Sequence, residues 1–375
     1  MMRVVKLTEA IARRLLAARR RQDHAAERVA ARIVTDVRRR GDVALRAWTR
    51  RLDGVALQPD SIWVQPQELR AARRAVSREF LRALEHAARN IRRVAEQQKP
   101  RPWTLTVEPG VRVGQLVRSL DSVGCYVPGG RYSLVSTLLM TVIPAQVAGV
   151  KRILVTCPRP NAVLLAAADR LGVREVARVG GAQAIAALAY GTQAIPPVDK
   201  IVGPGNRYVT AAKRQVSADC AIDFLAGPTE LLILARSGNP RFLAADLVAQ
   251  AEHDPDAIAV LVTPLRRLAN AVERELARQL QALPRTNPAR RSLSRNSHIL
   301  VARNLEDAVR FVNWFAPEHL TLPGAEPALL KQLHASGSVF LGPWSAQPLG
   351  DYASGSNHVL PTGGWARARG GLSVG

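Results

Sequence analysis

Cysteine is scarce. Cys125, Cys157 and Cys220 are the only three, an odd number at wide spacings, which excludes a disulfide framework and a paired CxxC metal knuckle. They are expected to be reduced and buried, as small hydrophobes rather than nucleophiles. Lysine is scarce as well: six of the 53 basic residues are lysine, so the formal charge of +23 comes from arginines scattered over expected helix faces, such as Arg70, Arg73, Arg74 and Arg78. The dense runs, Arg13 to Arg21 and Arg38 to Arg40, carry no interleaved aromatics. The stacking platforms of single-strand binders are missing, and no nucleic-acid partner is expected. No apolar run reaches the roughly 18–20 residues of a membrane helix. The most apolar stretch, Val135 to Val150, is broken by Ser136, Thr137, Thr141, Pro144 and Gln146. Residues 1–20 show no apolar h-region or cleavage site, so no membrane partner and a cytoplasmic location are expected. GxGxxG is also absent.

What is present describes a globular α/β protein. The chain has 375 residues, 47% of them apolar, enough for two domains. Residues 8–100 have helical spacing, through Ala26, Val29, Ala30, Ile33 and Val37 and again through Leu69, Ala72, Val76, Phe80 and Leu84, with stops at Gly41-Asp42 and Asp53-Gly54. From Val111 short β-rich runs alternate with helices: strands at Gly124–Val127, Arg152–Thr156, Glu175–Val179 and Lys200–Val202, helices at Val135–Ala148, Ala162–Leu171 and Ala182–Ala189. That alternation means βαβ units on mainly parallel sheets. A second α/β stretch follows, with strands Leu231–Ala235 and Ala257–Thr263 and helices Arg241–Glu252 and Leu268–Leu280. The expected organisation is an N-terminal helical arm (1–20), a discontinuous α/β domain (21–120 with 231–375) and an inserted α/β domain (121–230).

Glycine-rich turns follow several strands, at Val127-Pro128-Gly129-Gly130, Gly180-Gly181-Ala182-Gln183, Gly203-Pro204-Gly205-Asn206 and Ala226-Gly227-Pro228-Thr229-Glu230. Such turns let an anion approach backbone N–H groups, and they also serve as plain turns. Asn239 and Pro240 open a helix that ends at Gln250-Ala251-Glu252-His253-Asp254. There Gln250 and His253 share a face, and either bind one cation or simply complement the helix dipole. Ala316-Pro317-Glu318-His319-Leu320 sets an acid beside an imidazole, and Gly350-Asp351-Tyr352 with Gly355-Ser356-Asn357-His358 adds a carboxylate and another imidazole in an expected loop. Histidines beside Asp or Glu in Pro/Gly-punctuated segments are the composition of a metal or acid–base site.

In this order the segments resemble the histidinol dehydrogenase family. The residues that carry the resemblance are Gly41 to Leu45, Asp53 to Val55, Tyr126 to Gly130, Gly180 to Thr192, Asp199 to Asn206, Asp223 to Glu230, Asp246 to Asp254, Ala316 to Leu320 and Gly350 to Thr362. The resemblance implies two domains with incomplete Rossmann-like sheets, with NAD on 121–230 and zinc and substrate on the discontinuous domain. It implies a homodimer with one zinc per subunit that oxidises L-histidinol through L-histidinaldehyde to L-histidine, consuming two NAD. By motif, Tyr126, Gln183 and Asn206 contact NAD; Gln250, His253 and Asp351 bind zinc; Glu318 and His319 are the acid–base pair. Thr229 and His358 touch substrate, as do Gln250, His253, His319 and Asp351. Position 229 is Thr where the family more usually has Ser, which keeps the hydroxyl. The family continues beyond the segment Leu372-Ser373-Val374-Gly375 into a helical piece that supplies a Glu and a fourth zinc ligand, a His. With three ligands and without that piece, which in the family reaches into the partner subunit, a weaker metal site, a weakened dimer and impaired turnover are expected. The alternatives are a related zinc and NAD alcohol dehydrogenase acting on another small polyol, or a non-enzymatic remnant.

Overall fold

The computed structural model describes residues 2–19, 23–129, 134–324 and 327–375. Gly130 of the first glycine-rich turn, and Arg20 and Arg21 of the N-terminal basic run, lie outside the described residues. In chain order the strands are β1 (Arg3–Lys6), β2 (Trp103–Glu108), β3 (Val111–Gln115), β4 (Ser122–Tyr126), β5 (Arg152–Thr156), β6 (Glu175–Ala177) and β7 (Lys200–Val202). They continue with β8 (Ala221–Ile222), β9 (Glu230–Leu234), β10 (Ile258–Thr263), β11 (His298–Val301), β12 (His319–Leu322) and β13 (Ser338–Leu341). The chain divides into two units. The first comprises Met1–Gln22, Ala226–Asp351 and Leu360–Gly371, and the second Asp23–Leu225, Tyr352–Val359 and Leu372–Gly375.

In the second unit, five parallel strands lie in the order β6-β5-β4-β7-β8. Strand β4 has a neighbour reached in each direction, so a topological switch point falls between the carboxyl ends of β4 and β7, the usual place for a ligand in an open parallel sheet. Tyr126 ends β4, and the Gly203-Pro204-Gly205-Asn206 turn follows β7. Helix Val135–Ala148 is apolar nearly all round, and nine of its side chains are buried, as a helix inside a domain requires. Pro144 within it has no N–H to give the Met140 carbonyl. The Asn357 side chain takes that carbonyl instead, at 2.7 Å, and so ties the Ser356-Asn357-His358 loop to the helix.

In the first unit, six parallel strands lie in the order β1-β11-β10-β9-β12-β13. Strand β9 is buried at every position, and from Leu231 to Leu234 it is the continuous apolar run expected of a central parallel strand. Helix Pro240–Glu252 is capped by Asn239, whose side chain accepts from Arg241 N at 3.0 Å, and has Pro240 in its first turn. It runs back to the amino edge of the sheet, bringing Gln250 with it.

The α/β architecture with parallel sheets flanked by helices agrees with the expected class, but the boundaries differ in two places. Residues 1–20 are no separate arm: β1 pairs with β11, and helix Glu9–Arg19 sets Ala12 and Leu15 into the core of the first unit. The helical stretch 23–100 groups with the 121–225 sheet rather than with the 231–375 one. Helix His24–Arg40 buries Ala26, Ala30, Ile33, Val34 and Val37, and four of these join a core with Ala184, Ile185, Val209 and Ala212. At about 1.5–3 kcal/mol for each large side chain buried, that interface determines where the helix belongs. The pattern of its apolar face was legible; its partner was not. Ribbon β2–β3 had no counterpart in the sequence reading.

Candidate active site

The chemistry-bearing residues of the first unit gather at the amino ends of β9 and β12. Ala316 closes helix Leu305–Phe315 in the left-handed region, at φ 50°, and Pro317 leads into Glu318 and His319, the latter opening β12. Parallel pairing places His319 opposite Leu231, and so sets Glu318 beside Thr229 and Glu230. The Oε2 atom of Glu318 accepts from the Thr229 hydroxyl at 2.8 Å and from Glu230 N at 2.7 Å. His319 Nδ1 lies 3.0 Å from the Glu230 carbonyl. A carbonyl can only accept, so Nδ1 carries the proton and Nε2 is the ring's lone-pair nitrogen. Nε2 is buried with no partner. Burial pulls the imidazole pKa down. The Glu318 carboxylate, 3.6 Å from Nδ1, and the Asp351 carboxylate, 3.9 Å from Nε2, outweigh it, and the net shift is upward.

The expected metal ligands come from two segments that reach the same edge. Gln250 is fully buried near the end of helix Pro240–Glu252, and His253 follows at its C-cap. Asp351 sits not in a loop, as expected, but in the short helix Gln347–Tyr352, where Gln347 one turn earlier donates to its Oδ2. His253 Nε2 and Asp351 Oδ2 are 3.8 Å apart, close to the roughly 3.3 Å that separates two ligands with zinc bonds of about 2.0–2.2 Å. Gln250 Nε2 donates to Thr229 Oγ1, and Gln250 Oε1 is buried without a partner, an oxygen suited to a cation. Among the described residues no cluster of three His, Cys, Asp or Glu meets metal-holding geometry. Thr229, expected on substrate, spends its hydroxyl linking Gln250 to Glu318.

The expected nucleotide contacts and His358 lie in the second unit. The Tyr126 hydroxyl accepts from Gly181 N at 3.1 Å, and burial pushes the phenol pKa up. Gln183, buried in the first turn of helix Gly181–Tyr190, donates from Nε2 to Asp53 Oδ2 at 3.0 Å, and its Oε1 has no partner. Burial pushes Asp53 up, against the pull of Arg159. The sequence places Asp53 in a turn and in a segment that carries the family resemblance, without a role at the site. Tyr126 and Gln183 thus meet at one helix N-terminus. Asn206 is engaged elsewhere: its Oδ1 caps helix Arg207–Val216, accepting from Tyr208 N at 3.0 Å and Val209 N at 3.1 Å, which leaves the amide nitrogen as the group it offers. His358 Nε2 lies 3.3 Å from Thr137 Oγ1.

One further feature was not foreseen, and one agrees with the sequence. Lys213 and Asp223 form a buried ion pair at 2.5 Å, and Lys213 also donates to the Gly203 carbonyl at 2.6 Å, while Asp223 accepts from Gly203 N at 2.8 Å. The pair fixes the turn that carries Asn206. The three cysteines are buried, with thiols pushed by burial to about 12 for Cys125 and about 11 for Cys157 and Cys220. These are inert thiols, not nucleophiles.

Comparison with known proteins shows what the chain as a whole is similar to. The family profile "Histidinol dehydrogenase" matches residues 16–375. A histidinol dehydrogenase of Geobacillus kaustophilus is 52% identical over 350 residues, covering 91% of this chain and 82% of that protein. One from Methanothermobacter thermautotrophicus is 48% identical with the same coverage. The crystal structure of histidinol dehydrogenase from Elizabethkingia anophelis superposes with a TM-score of 0.92 at 36% identity, covering 100% of this chain and 88% of that one.

Proposed function

The chain belongs to the histidinol dehydrogenase family, oxidoreductases of histidine biosynthesis, and from that premise we propose that it oxidises L-histidinol through L-histidinaldehyde to L-histidine, with two NAD reduced and one zinc ion held per subunit. The observation that carries the reading is the state of His319: Nδ1–H is committed to the Glu230 carbonyl, and the Nε2 lone pair is buried and unpaired. That is a base held ready for a hydroxyl proton. Glu318 and Asp351 stabilise the imidazolium that forms. Glu318, held through Oε2, acts in the second oxidation by taking a proton from the water that adds to the aldehyde. Tyr126, Gln183 and the Asn206 amide are the residues that would hold NAD, which would supply the hydride acceptor for both oxidations. Gln250 Oε1, His253 and Asp351 would hold zinc, which supplies a fixed positive charge to orient a substrate rich in nitrogen and oxygen donors. NADH formation from L-histidinol, run against a panel of small polyols at saturating zinc, tests the proposal. Two NADH per histidinol are expected, and turnover of another alcohol in its place would overturn the substrate assignment.

Removal of His253 separates metal binding from folding. Its side chain is 46% exposed, and the helix before it is anchored by Leu243 and Leu247, both buried, whereas Phe242 is exposed and rests on Trp344. His253→Ala is expected to lower bound zinc at least tenfold, measured by metal analysis after dialysis, with an unchanged circular dichroism spectrum. Full zinc content in the variant would remove His253 from the ligand set.

A homodimer belongs to the same proposal, and the ribbon β2–β3 is the surface that supports it. Cross-strand pairs Trp103–Gln115 and Leu105–Val113 put three apolar side chains on one face, while Thr104–Gly114 and Thr106–Arg112 form the other. Every residue of both strands is exposed. An isolated two-stranded ribbon is marginal in water, and a second copy of the chain would cover its apolar face. Trp103→Ser/Leu105→Ser is expected to shift the sedimenting species from dimer to monomer. A monomeric parent chain, or a variant that stays dimeric, would refute this use of the ribbon.

A further inference from the structure

The acid–base pair is gripped from behind by a residue of the first helix. Arg19 ends helix Glu9–Arg19, and its side chain and that of Glu230 are each 2% exposed. Its Nε donates to Glu230 Oε1 at 2.7 Å, Nη2 to Oε2, and Nη1 to the Phe315 carbonyl. The guanidinium lies 3.7 Å from the centroid of the Phe315 ring. A fork bound on two sides and stacked on a third has one orientation, which an ammonium would not have.

The two points held are the ones from which the pair hangs. Glu230 gives its N–H to Glu318 and its carbonyl to His319. Phe315 precedes Ala316, whose left-handed φ of 50° turns the chain into Pro317-Glu318-His319. A non-glycine residue in that region persists where its surroundings over-determine it.

We propose that Arg19 is a positioning residue of the reaction, clamping Glu230 and the Phe315 carbonyl so that Glu318 and His319 keep their relative placement and His319 its Nδ1–H tautomer. The proposal rests on Glu318 and His319 being the acid–base pair. Arg19 has a second effect: burial pushes the Glu230 carboxyl up, and the guanidinium pulls against that rise without cancelling it.

The test uses the zinc-loaded full chain with Arg19→Met, Arg19→Lys and Arg19→Met/Glu230→Gln. In Arg19→Met, kcat for L-histidinol is expected to fall at least tenfold while KM for histidinol and NAD stays within about twofold. In 15N-histidine-labelled protein, His319 is expected to lose its single Nδ1–H signature. The Lys variant should fall between, and the double variant should stay near Arg19→Met in kcat, because removing the Glu230 charge does not restore the clamp. A kcat within twofold of the parent together with an intact tautomer signal in Arg19→Met would overturn the proposal. So would a double variant that regains the parent kcat, since the defect would then be one of charge and not of position. If Glu318→Gln and His319→Gln keep full turnover, the acid–base reading falls instead, and the tautomer signal still decides whether Arg19 orients the ring. Should Arg19→Met fail to fold, the Lys and double variants carry the same readouts.

Discussion

His319→Gln is expected to reduce kcat for oxidation of L-histidinol by about 10²–10⁴-fold, the usual worth of a positioned proton acceptor, with zinc content unchanged. Glutamine can still reach the Glu230 carbonyl, which His319 Nδ1 now meets at 3.0 Å, but it brings no basic nitrogen to the position of Nε2. Glu318→Gln is expected to divide the two half reactions. Thr229 Oγ1 and Glu230 N can still donate to the amide oxygen as they do to Glu318 Oε2, so the local geometry survives, while the ability to take a proton from water is lost. Oxidation of L-histidinaldehyde supplied directly should therefore suffer more than oxidation of the alcohol. Stopped-flow measurement of each step decides it. Equal losses in both steps for both variants would refute the division of roles.

What the sequence could reveal of this site followed distance along the chain. The pairing of Glu318 with His319, or of Gln250 with His253, is local, and so was readable from adjacency and helical spacing. The links that make the site work are not local. Glu318 finds Thr229 and Glu230 only because β12 pairs in parallel with β9, and Asp351 meets His253 only after β13 adds to the same edge. Four of the five strands of the 121–225 sheet were legible because each is a short apolar run between turns, Lys200–Val202 and Arg152–Thr156 among them, whereas the two-residue edge strand β8 is too short to show a pattern. Strand β1 was not, because Arg3-Val4-Val5-Lys6 becomes a strand by pairing with β11 nearly three hundred residues away. Charge was the least legible property. Arg19 is one arginine in a basic run, and nothing in its neighbours distinguishes a buried fork from a solvated one; what distinguishes it is Glu230, brought close by the fold.

Lys213 is the other charge the fold has hidden, and its loss is expected to be the largest stability defect in the second unit. Its side chain is 3% exposed and that of Asp223 1%. Lys213→Met fits the volume but leaves a buried carboxylate without its counter-ion, which costs about 3–5 kcal/mol, more than the pair itself contributes. At roughly 2–4 °C per kcal/mol for a unit of this size, a fall in Tm of about 6–20 °C follows. Lys213→Met/Asp223→Asn should recover part of it. The charge is gone, but an amide cannot accept on both atoms as Asp223 does from Gly203 N and Phe224 N, at 2.8 and 2.6 Å. The defect should also reach nucleotide binding. Gly203 is at φ +117°, and a Cβ there would stand 2.2 Å from the Tyr126 carbonyl, so the turn fits against β4 in one position only. Loss of the Lys213 and Asp223 contacts to Gly203 loosens that turn, with Tyr126 on one side and Asn206 three residues on. KM for NAD is expected to rise severalfold in the single variant at a temperature where it remains folded, with KM for histidinol little changed. A Tm within 2 °C of the parent would mean that water or another cation reaches Asp223. An unchanged KM for NAD alongside a large fall in Tm would detach the turn from nucleotide binding.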